Sequence, residues 1–91
     1  GILQFTRALA LDHAEDNIRV VALSPGAVDT PRLTDIFGSP EVAERKLGPA
    51  HPVGRLGRPN ELADTALFLV SDEATFITGT DLIVDGGYTA K

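Results

Sequence analysis

Three residue types are missing from this sequence of 91 residues: cysteine, methionine and tryptophan. Without cysteine the chain has no disulfide, no thiolate nucleophile and no zinc site built on sulfur. The missing methionine includes the usual initiator, and a helical pattern begins at once with no capping residue before it. We therefore expect this chain to be a piece of a longer protein.

Positive charge and long apolar runs are also scarce. Eight Lys and Arg face thirteen Asp and Glu, and the resulting net charge of −5 argues against a nucleic-acid-binding surface. No apolar run approaches the ~20 residues of a bilayer-spanning helix, and no signal peptide is recognisable. With 43% hydrophobic and 23% charged residues, the composition is that of a globular chain. We expect a cytoplasmic location and neither a membrane nor a nucleic-acid partner.

Hydrophobic patterning predicts an α/β chain with the order helix, strand, lid, helix, strand. Helices are predicted over residues 1–15, where apolar residues form two stripes, and over 59–71. Short runs rich in β-branched residues predict strands at 18–24 and 80–84. Neither run alternates polar and apolar residues, so both strands should be covered on two faces of a parallel sheet. A right-handed crossover should join them.

The segment between the first strand and the second long helix is rich in proline: Pro31, Pro40, Pro49 and Pro52. It is predicted as a long loop that carries one short helix, which Ser39 caps and Pro40 begins. Loops of this length in compact domains usually cover a binding site. The sequence therefore predicts a lid over residues 31–54.

The strongest local signal is the run from Ser24 to Pro31, which follows the first predicted strand. Ligands of open parallel sheets bind at the carboxyl ends of the strands. Pro25 fixes its own φ, and Gly26 permits close approach of the backbone to a ligand. Val28 offers an amide N–H and a C=O, and Thr30 a hydroxyl, a set that suits a carboxamide. A turn that simply ends the strand fits the same spacing.

Other constellations are weaker. Ser24 with His13 or His51 lacks the G-x-S-x-G elbow of a hydrolase, and the two histidines lack metal-ligand spacing. The run from Gly54 to Arg58 has the composition of a phosphate cradle, although a loop leading into the second long helix fits it better. No G-x-G-x-x-G occurs among the nine glycines.

Several segments, in the right order along essentially the whole chain, resemble the C-terminal part of the short-chain dehydrogenase/reductase family. They are Gly1-Ile2-Leu3, Phe5–Ala10, Ile18-Arg19-Val20, Pro25–Thr30, Gly54-Arg55, Gly57-Arg58-Pro59, Glu61, Ala63, Phe68-Leu69, Ser71-Asp72, Ile77-Thr78-Gly79 and Leu82–Tyr88. The resemblance implies a Rossmann-type doubly wound parallel sheet. Its last two strands, their helices and the substrate lid would come from this chain.

The resemblance also implies an oxidoreductase that uses NAD or NADP and assembles as a homo-oligomer, a dimer or a tetramer. It places Pro25 and Gly26 beside the nicotinamide. It pairs the Val28 backbone with the nicotinamide carboxamide and brings the Thr30 hydroxyl to the same end of the cofactor. Hydride would pass between the nicotinamide ring and an alcohol or ketone carbon.

The substrate class is less closely defined. The ending Asp85–Ala90 and the lid run 51–54 are most similar to members that act on secondary alcohols, including cyclic or steroid-like ones. Leu33, Ile36 and Phe37 would give such a substrate an apolar lid, and the same three side chains would equally suit packing of the lid onto the body. The alternatives are a 3-oxoacyl thioester reductase and a non-catalytic oligomerisation or interaction module.

The family's Gly-rich cofactor turn, catalytic serine and Tyr-x-x-x-Lys pair have no counterpart in this chain. Tyr88 and Lys91 stand one residue closer together than that pair, and at the wrong end of the sequence. We therefore expect no catalytic residue and no metal ligand here. The chain should be inactive alone and should contribute cofactor-binding and lid residues to an intact enzyme.

Overall fold

The computed structural model describes all residues, Gly1–Lys91, and the chain divides into two compact units. Unit one comprises Gly1–Ser24 and Asp64–Leu82, and unit two comprises Pro25–Ala63 and Ile83–Lys91. The helices are α1 (Ile2–His13), α2 (Pro31–Phe37), α3 (Pro40–Leu47) and α4 (Pro59–Val70), the strands are β1 (Ala22–Pro25) and β2 (Asp81–Val84), and short 3₁₀ turns occupy Ala14–Asp16, Gly48–Ala50, Asp72–Ala74 and Tyr88–Ala90. None of the helices is both long and apolar enough to cross a membrane.

The two strands pair in parallel. In unit one the Ala22 N–H donates to the Thr80 carbonyl at 2.9 Å, and in unit two the Gly26 N–H donates to the Val84 carbonyl at 3.0 Å. Both bonds join residues with the same sequence offset and run in the same direction, as in a parallel ladder. An α/β chain with a parallel sheet is therefore confirmed.

The first strand begins later than the sequence pattern predicts. The Val20 N–H donates to the Thr78 hydroxyl at 3.0 Å, and the Val20 carbonyl accepts from the Gly79 N–H at 2.8 Å. A side-chain hydroxyl thus replaces a backbone partner, and regular pairing starts only at Ala22. Within this chain both strands are half-buried, with no residue buried completely.

Helix α1 and the part of α4 that belongs to unit one, Asp64–Val70, bury narrow faces. In α1 the buried residues are Thr6 and Ala10, and the Thr6 hydroxyl donates to the Ile2 carbonyl at 2.8 Å. In α4 only Leu69 is buried. The apolar side chains Leu67 and Val70 of α4 are exposed, because no element of this chain covers them.

One arginine fastens the parts of unit one together. Arg19, which follows α1, donates from its guanidinium to the Leu69 carbonyl at 2.6 Å and to the Ile77 carbonyl at 3.2 Å. The Leu69 carbonyl lies at the C-terminus of α4, where helix carbonyls lack intrahelical partners. A cation there satisfies the carbonyl and complements the helix dipole.

In unit two the lid segment contains two helices, whereas the sequence predicts one. Pro31 lies at the first position of α2 and not in a loop. A helix tolerates proline there because the N–H of its first residue has no partner within the helix. Gly38 ends α2 with φ 92°, and its N–H donates to the Thr34 carbonyl at 2.7 Å. The Ser39 hydroxyl then caps α3 by accepting from the Val42 N–H at 3.1 Å.

The core of unit two is formed by Ala43, Leu56 and His51. Leu56 is the only large side chain in the chain that is completely buried. The Glu44 carboxylate accepts from the Leu56 N–H at 2.6 Å and from the Arg58 guanidinium at 3.1 Å. These bonds attach α3 to the segment that leads into α4.

Candidate functional site

The turn from Pro25 to Thr30 lies in unit two at the carboxyl end of β1, and successive peptide groups in it are held by hydrogen bonds. The Gly26 N–H donates to the Val84 carbonyl at 3.0 Å. The Ala27 N–H donates to His51 Nε2 at 3.2 Å. The Ala27 carbonyl accepts from the Gly57 N–H, and the Asp29 N–H donates to the Gly57 carbonyl, both at 2.9 Å.

This arrangement leaves the backbone groups of Val28 available. Val28 forms an isolated parallel bridge with Gly57 that uses the Ala27 carbonyl and the Asp29 N–H. In a trans peptide the N–H and the C=O point in opposite directions. The Val28 N–H and C=O therefore point away from Gly57, and neither has a hydrogen-bond partner in the chain. A donor and an acceptor stand side by side there on a half-buried backbone.

The Thr30 hydroxyl is available as well. Thr30 is the N-cap of α2, and its carbonyl accepts from the Leu33 N–H at 3.1 Å and the Thr34 N–H at 3.2 Å. Its side chain makes no capping hydrogen bond, whereas N-cap threonines usually do. Val28 and Thr30 together thus offer two donors and two acceptors. That donor set fits a carboxamide, which has one carbonyl oxygen and two N–H groups.

Within the chain, Gly26 is required by the close packing of its neighbours. A Cβ built on Gly26 would lie 2.9 Å from the Asp85 Cα and 3.1 Å from His51 Nε2. On the side to which a Gly26 Cβ would point, the space is filled by Asp85 and His51. Pro25, the last residue of β1, is exposed.

The three apolar lid residues are in different environments. Leu33 and Phe37, one helical turn apart on α2, are half-buried. Ile36 is 61% exposed. Leu33 and Phe37 therefore seat α2 within unit two, and Ile36 is the one whose side chain is free to contact another molecule.

The cations of the Gly54–Arg58 run are engaged by carboxylates. Arg55 donates to both oxygens of Glu61, at 2.8 and 3.0 Å, and the Arg58 N–H donates to the same carboxylate at 2.8 Å. The Arg55 guanidinium, followed by the Arg58 amide, lowers the pKa of Glu61 to about 2. The Leu56 amide, assisted by Arg58, lowers the pKa of Glu44. The run is a loop fastened to α3 and α4, which disfavours a phosphate cradle.

The weaker constellations are not assembled either. The Ser24 hydroxyl donates to Asp81 Oδ1 at 2.7 Å, and His13 Nδ1 lies 3.1 Å from Asp16 Oδ2. No group of three His, Cys, Asp or Glu side chains is placed to hold a metal ion. The Lys91 ammonium lies 4.3 Å from the centre of the Tyr88 ring and donates to the Ala50 carbonyl at 2.6 Å, which is a packing role.

Two residues next to the turn escape sequence reasoning as parts of the site. His51 is only 5% exposed, and nothing in the sequence marks its role because both of its hydrogen-bond partners are backbone groups. The Asp85 carboxylate accepts from the Thr89 hydroxyl and N–H and from the Gly87 N–H, and these bonds, led by the Thr89 hydroxyl, lower its pKa. An aspartate two residues before a glycine is a recognisable turn signal.

A parallel strand that ends in a turn with free backbone groups is the arrangement at which ligands bind in open α/β sheets of Rossmann type. Comparisons with known proteins agree. A family model described as enoyl-(acyl carrier protein) reductase matches residues 1–89. The chain belongs to the short-chain dehydrogenase/reductase family, as its sequence motifs predict.

Individual relatives show the same relationship. Cyclopentanol dehydrogenase of Comamonas sp. is 49% identical over 87 residues, covering 96% of this chain and 34% of that protein. Cyclohexanol dehydrogenase of Acinetobacter sp. is 41% identical over 91 residues, covering 100% and 34%. A crystal structure of a short-chain dehydrogenase family protein from Francisella tularensis is 37% identical, with a TM-score of 0.88, and covers 99% of this chain and 40% of that one. The chain spans about a third of the length of the curated relatives it matches.

Proposed function

We propose that this chain is the C-terminal part of an NAD(P)-dependent dehydrogenase that interconverts secondary alcohols, including cyclic or steroid-like ones, and ketones. The observation that carries the proposal is the set of unpaired groups at Val28 and Thr30, at the carboxyl end of a parallel strand. The family supports the cofactor class, since NAD(P) use is a general property of these dehydrogenases. The relatives named for cyclopentanol and cyclohexanol support the substrate class, because both alcohols are cyclic and secondary.

In this proposal the residues of the turn bind one end of the cofactor. The Val28 N–H donates to the carboxamide oxygen, and the Val28 C=O accepts from the carboxamide NH₂. The Thr30 hydroxyl contacts the same group, and Pro25 and Gly26 form the turn beside the nicotinamide. When bound, the cofactor would supply the acceptor for the hydride of a secondary alcohol, and the hydroxyl proton would leave to a base. This chain contributes no candidate for that base.

The lid over residues 31–54 would cover the substrate with Leu33, Ile36 and Phe37. Because Leu33 and Phe37 are half-buried and Ile36 is exposed, we assign seating of the lid to the first two and substrate contact to Ile36. An apolar contact there suits a ring or steroid-like skeleton. It adds little recognition of a polar thioester.

We also propose that the intact protein is cytoplasmic and forms a homo-oligomer, a dimer or a tetramer. Large apolar side chains stand exposed on α1 and at β2, among them Phe5, Leu11 and Ile83. Clusters of such side chains on a folded chain usually mark contact surfaces. They support an assembly without fixing its size.

The test begins with the intact mass of the natural protein. We expect a mass well above the 9.6 kDa of this chain, and reduction of NAD⁺ or NADP⁺ when cyclopentanol or cyclohexanol is added. The matched control is the 91-residue chain alone, for which we expect no turnover. A natural protein of 9.6 kDa that binds no nicotinamide nucleotide would overturn the proposal in favour of an interaction module.

A further inference from the structure

His51 occupies the centre of unit two, directly against the turn that the proposed function assigns to the cofactor. Its side chain lies against three segments of the unit: the turn at Gly26, the segment of Gly86 and Tyr88, and the end of α3. A Cβ on Gly26 would lie 3.1 Å from Nε2, and one on Gly86 would lie 3.5 Å from the His51 Cβ. The Tyr88 ring is 5.5 Å away, centroid to centroid. Nδ1 lies 3.0 Å from the Leu47 carbonyl at the end of α3.

The hydrogen-bond partners of the ring fix its tautomer. The Ala27 N–H can only donate, so Nε2 must accept from it at 3.2 Å. The Leu47 carbonyl can only accept, so Nδ1 must carry the proton and donate to it at 3.0 Å. The ring therefore connects the lid to the turn through two hydrogen bonds, donating to the lid at Leu47 and accepting from the turn at Ala27.

The bond to Ala27 completes the support of the Val28 backbone. Three of the peptide groups in the turn are held by backbone partners. Val84 holds the group that carries the Gly26 N–H, and Gly57 holds the two groups on either side of the Val28 Cα. The Gly26–Ala27 peptide group is the exception, because a side chain holds it. The next peptide group carries the Val28 N–H. Its orientation depends on the orientation of the Gly26–Ala27 peptide plane and on the hydrogen bond that the Ala27 carbonyl accepts from Gly57. His51 is thus the only side chain that forms a hydrogen bond with the backbone leading into Val28.

We infer that His51 is a positioning residue for cofactor binding: by bridging the Leu47 carbonyl and the Ala27 N–H, it holds the Val28 backbone groups ready for a carboxamide. This inference rests on the proposed function, because it assigns the carboxamide to Val28. It adds a residue that touches neither cofactor nor substrate. It also makes the lid and the cofactor turn parts of one hydrogen-bonded unit.

Two substitutions separate this role from general packing. Gln places its amide oxygen near the position of Nε2, so His51→Gln keeps the bond to Ala27 and gives up the bond to Leu47. Asn reaches only the position of Nδ1, so His51→Asn keeps the bond to Leu47 and gives up the bond to Ala27. Each variant loses one buried hydrogen bond, and a purely structural role predicts similar effects for both. His13→Asn, at a half-exposed histidine in unit one, is the control for the substitution itself.

The measurements are made on the intact dehydrogenase that contains this chain. We expect His51→Asn to raise the dissociation constant and the KM for NAD(P)⁺ by about 3- to 10-fold, the effect of one hydrogen bond, with a smaller change in kcat. We expect His51→Gln and His13→Asn to stay within about twofold of wild type. Amide hydrogen exchange at Ala27 should accelerate in His51→Asn only, and thermal unfolding shows that each variant is folded.

The positioning role of His51 and the proposed function are contradicted by different results. Equal cofactor affinity in the Gln and Asn variants would overturn the positioning role and leave the proposed function standing. If His51→Asn does not fold, His51→Gln decides alone, and a folded Gln variant with cofactor affinity reduced threefold or more overturns the role. A wild-type protein that binds no nicotinamide nucleotide overturns the proposed function, and the role of His51 with it.

Discussion

Thr30 and Ser39 stand in equivalent places, each just before a helix that begins with proline. Ser39 accepts a hydrogen bond from the Val42 N–H, whereas the Thr30 hydroxyl makes no capping bond. The N–H groups at the start of α2 receive no side-chain acceptor from Thr30, at a cost in helix stability of about 1 kcal/mol. A hydroxyl left unused at that cost is available to a ligand, which is the basis of its proposed role.

The Thr30 hydroxyl should therefore be detectable in cofactor binding. We expect Thr30→Val to raise the KM and the dissociation constant for NAD(P)⁺ by about 2- to 10-fold in the intact enzyme, since one hydrogen bond to the carboxamide is lost. Thr30→Ser keeps the hydroxyl and should remain near wild type. Unchanged cofactor affinity in the valine variant would remove Thr30 from the site.

Ile36 and Leu33 differ in exposure, and we therefore expect substitutions at these two positions to have different effects. Ile36→Ser, at a side chain 61% exposed, should change the free energy of unfolding by less than about 0.5 kcal/mol. It should reduce the preference in kcat/KM for cyclohexanol over an open-chain secondary alcohol by about 10-fold, the effect of a lost apolar contact. Leu33→Ser, at a half-buried side chain, should mainly lower stability. An identical substrate profile in Ile36→Ser would mean that Ile36 does not contact substrate.

At the scale of elements, the start of α4 depends on Glu61. Its carboxylate accepts from the Arg58 N–H, while Arg55 donates to both of its oxygens. This is half of a capping box, in which the third helical residue reaches back to the N-cap amide. The same carboxylate therefore fixes the first turn of α4 and the loop before it.

The lowered pKa of Glu61 makes this support depend on pH. The pKa is about 2 in the folded chain, against 4.5 for the ordinary group, so the folded state favours the ionised form. Its contribution is complete above about pH 4.5 and is lost as the pH falls through 2. We expect Glu61→Gln to be less stable than wild type at neutral pH and to show a flatter stability profile between these limits.

Urea unfolding at a series of pH values measures this effect. Glu15→Gln, at an exposed carboxylate with no hydrogen bond in the structure, is the matched control. Its free energy of unfolding should fall at acid pH as steeply as that of wild type. If the free energy of unfolding of Glu61→Gln falls at acid pH as steeply as that of wild type, other carboxylates, such as Glu44 or Asp85, dominate the pH dependence.

Local chemistry in the sequence accounts for some elements and not for others. The start of α3 follows from Ser39 and Pro40, because the signal lies in adjacent residues. Helix α2 cannot be predicted in this way, because proline is compatible with a loop as well as with the first position of a helix, where Pro31 lies. The free groups of Val28 depend on its bridge to Gly57, and the role of His51 depends on two backbone partners. No local pattern encodes these contacts, because they join segments distant in the sequence.

At the scale of the whole molecule, the balance between buried and exposed apolar surface stands out. Leu56 is the only large side chain buried completely, while many large apolar side chains stand in water: Ile2, Leu3, Phe5, Leu11, Ile18, Ile36, Val53, Leu67, Phe68, Val70, Phe76, Ile83 and Tyr88. A chain of this size normally hides a larger share of such groups. Exposed apolar surface on this scale promotes association.

The 91-residue chain, when produced alone, should therefore not behave as a simple monomer. We expect sedimentation velocity to show concentration-dependent association that high salt does not weaken, because apolar contacts are strengthened and charge contacts screened by salt. Replacing Phe5 and Leu11 on α1 by Glu should reduce this association. Both side chains are more than half exposed, so their loss should leave the fold of unit one largely unchanged. Replacing Asp12, which follows Leu11, by Asn is the control, since it alters charge without removing apolar area. A wild-type chain that remains monomeric at high concentration would show that its exposed apolar side chains are too dispersed to act as a contact surface.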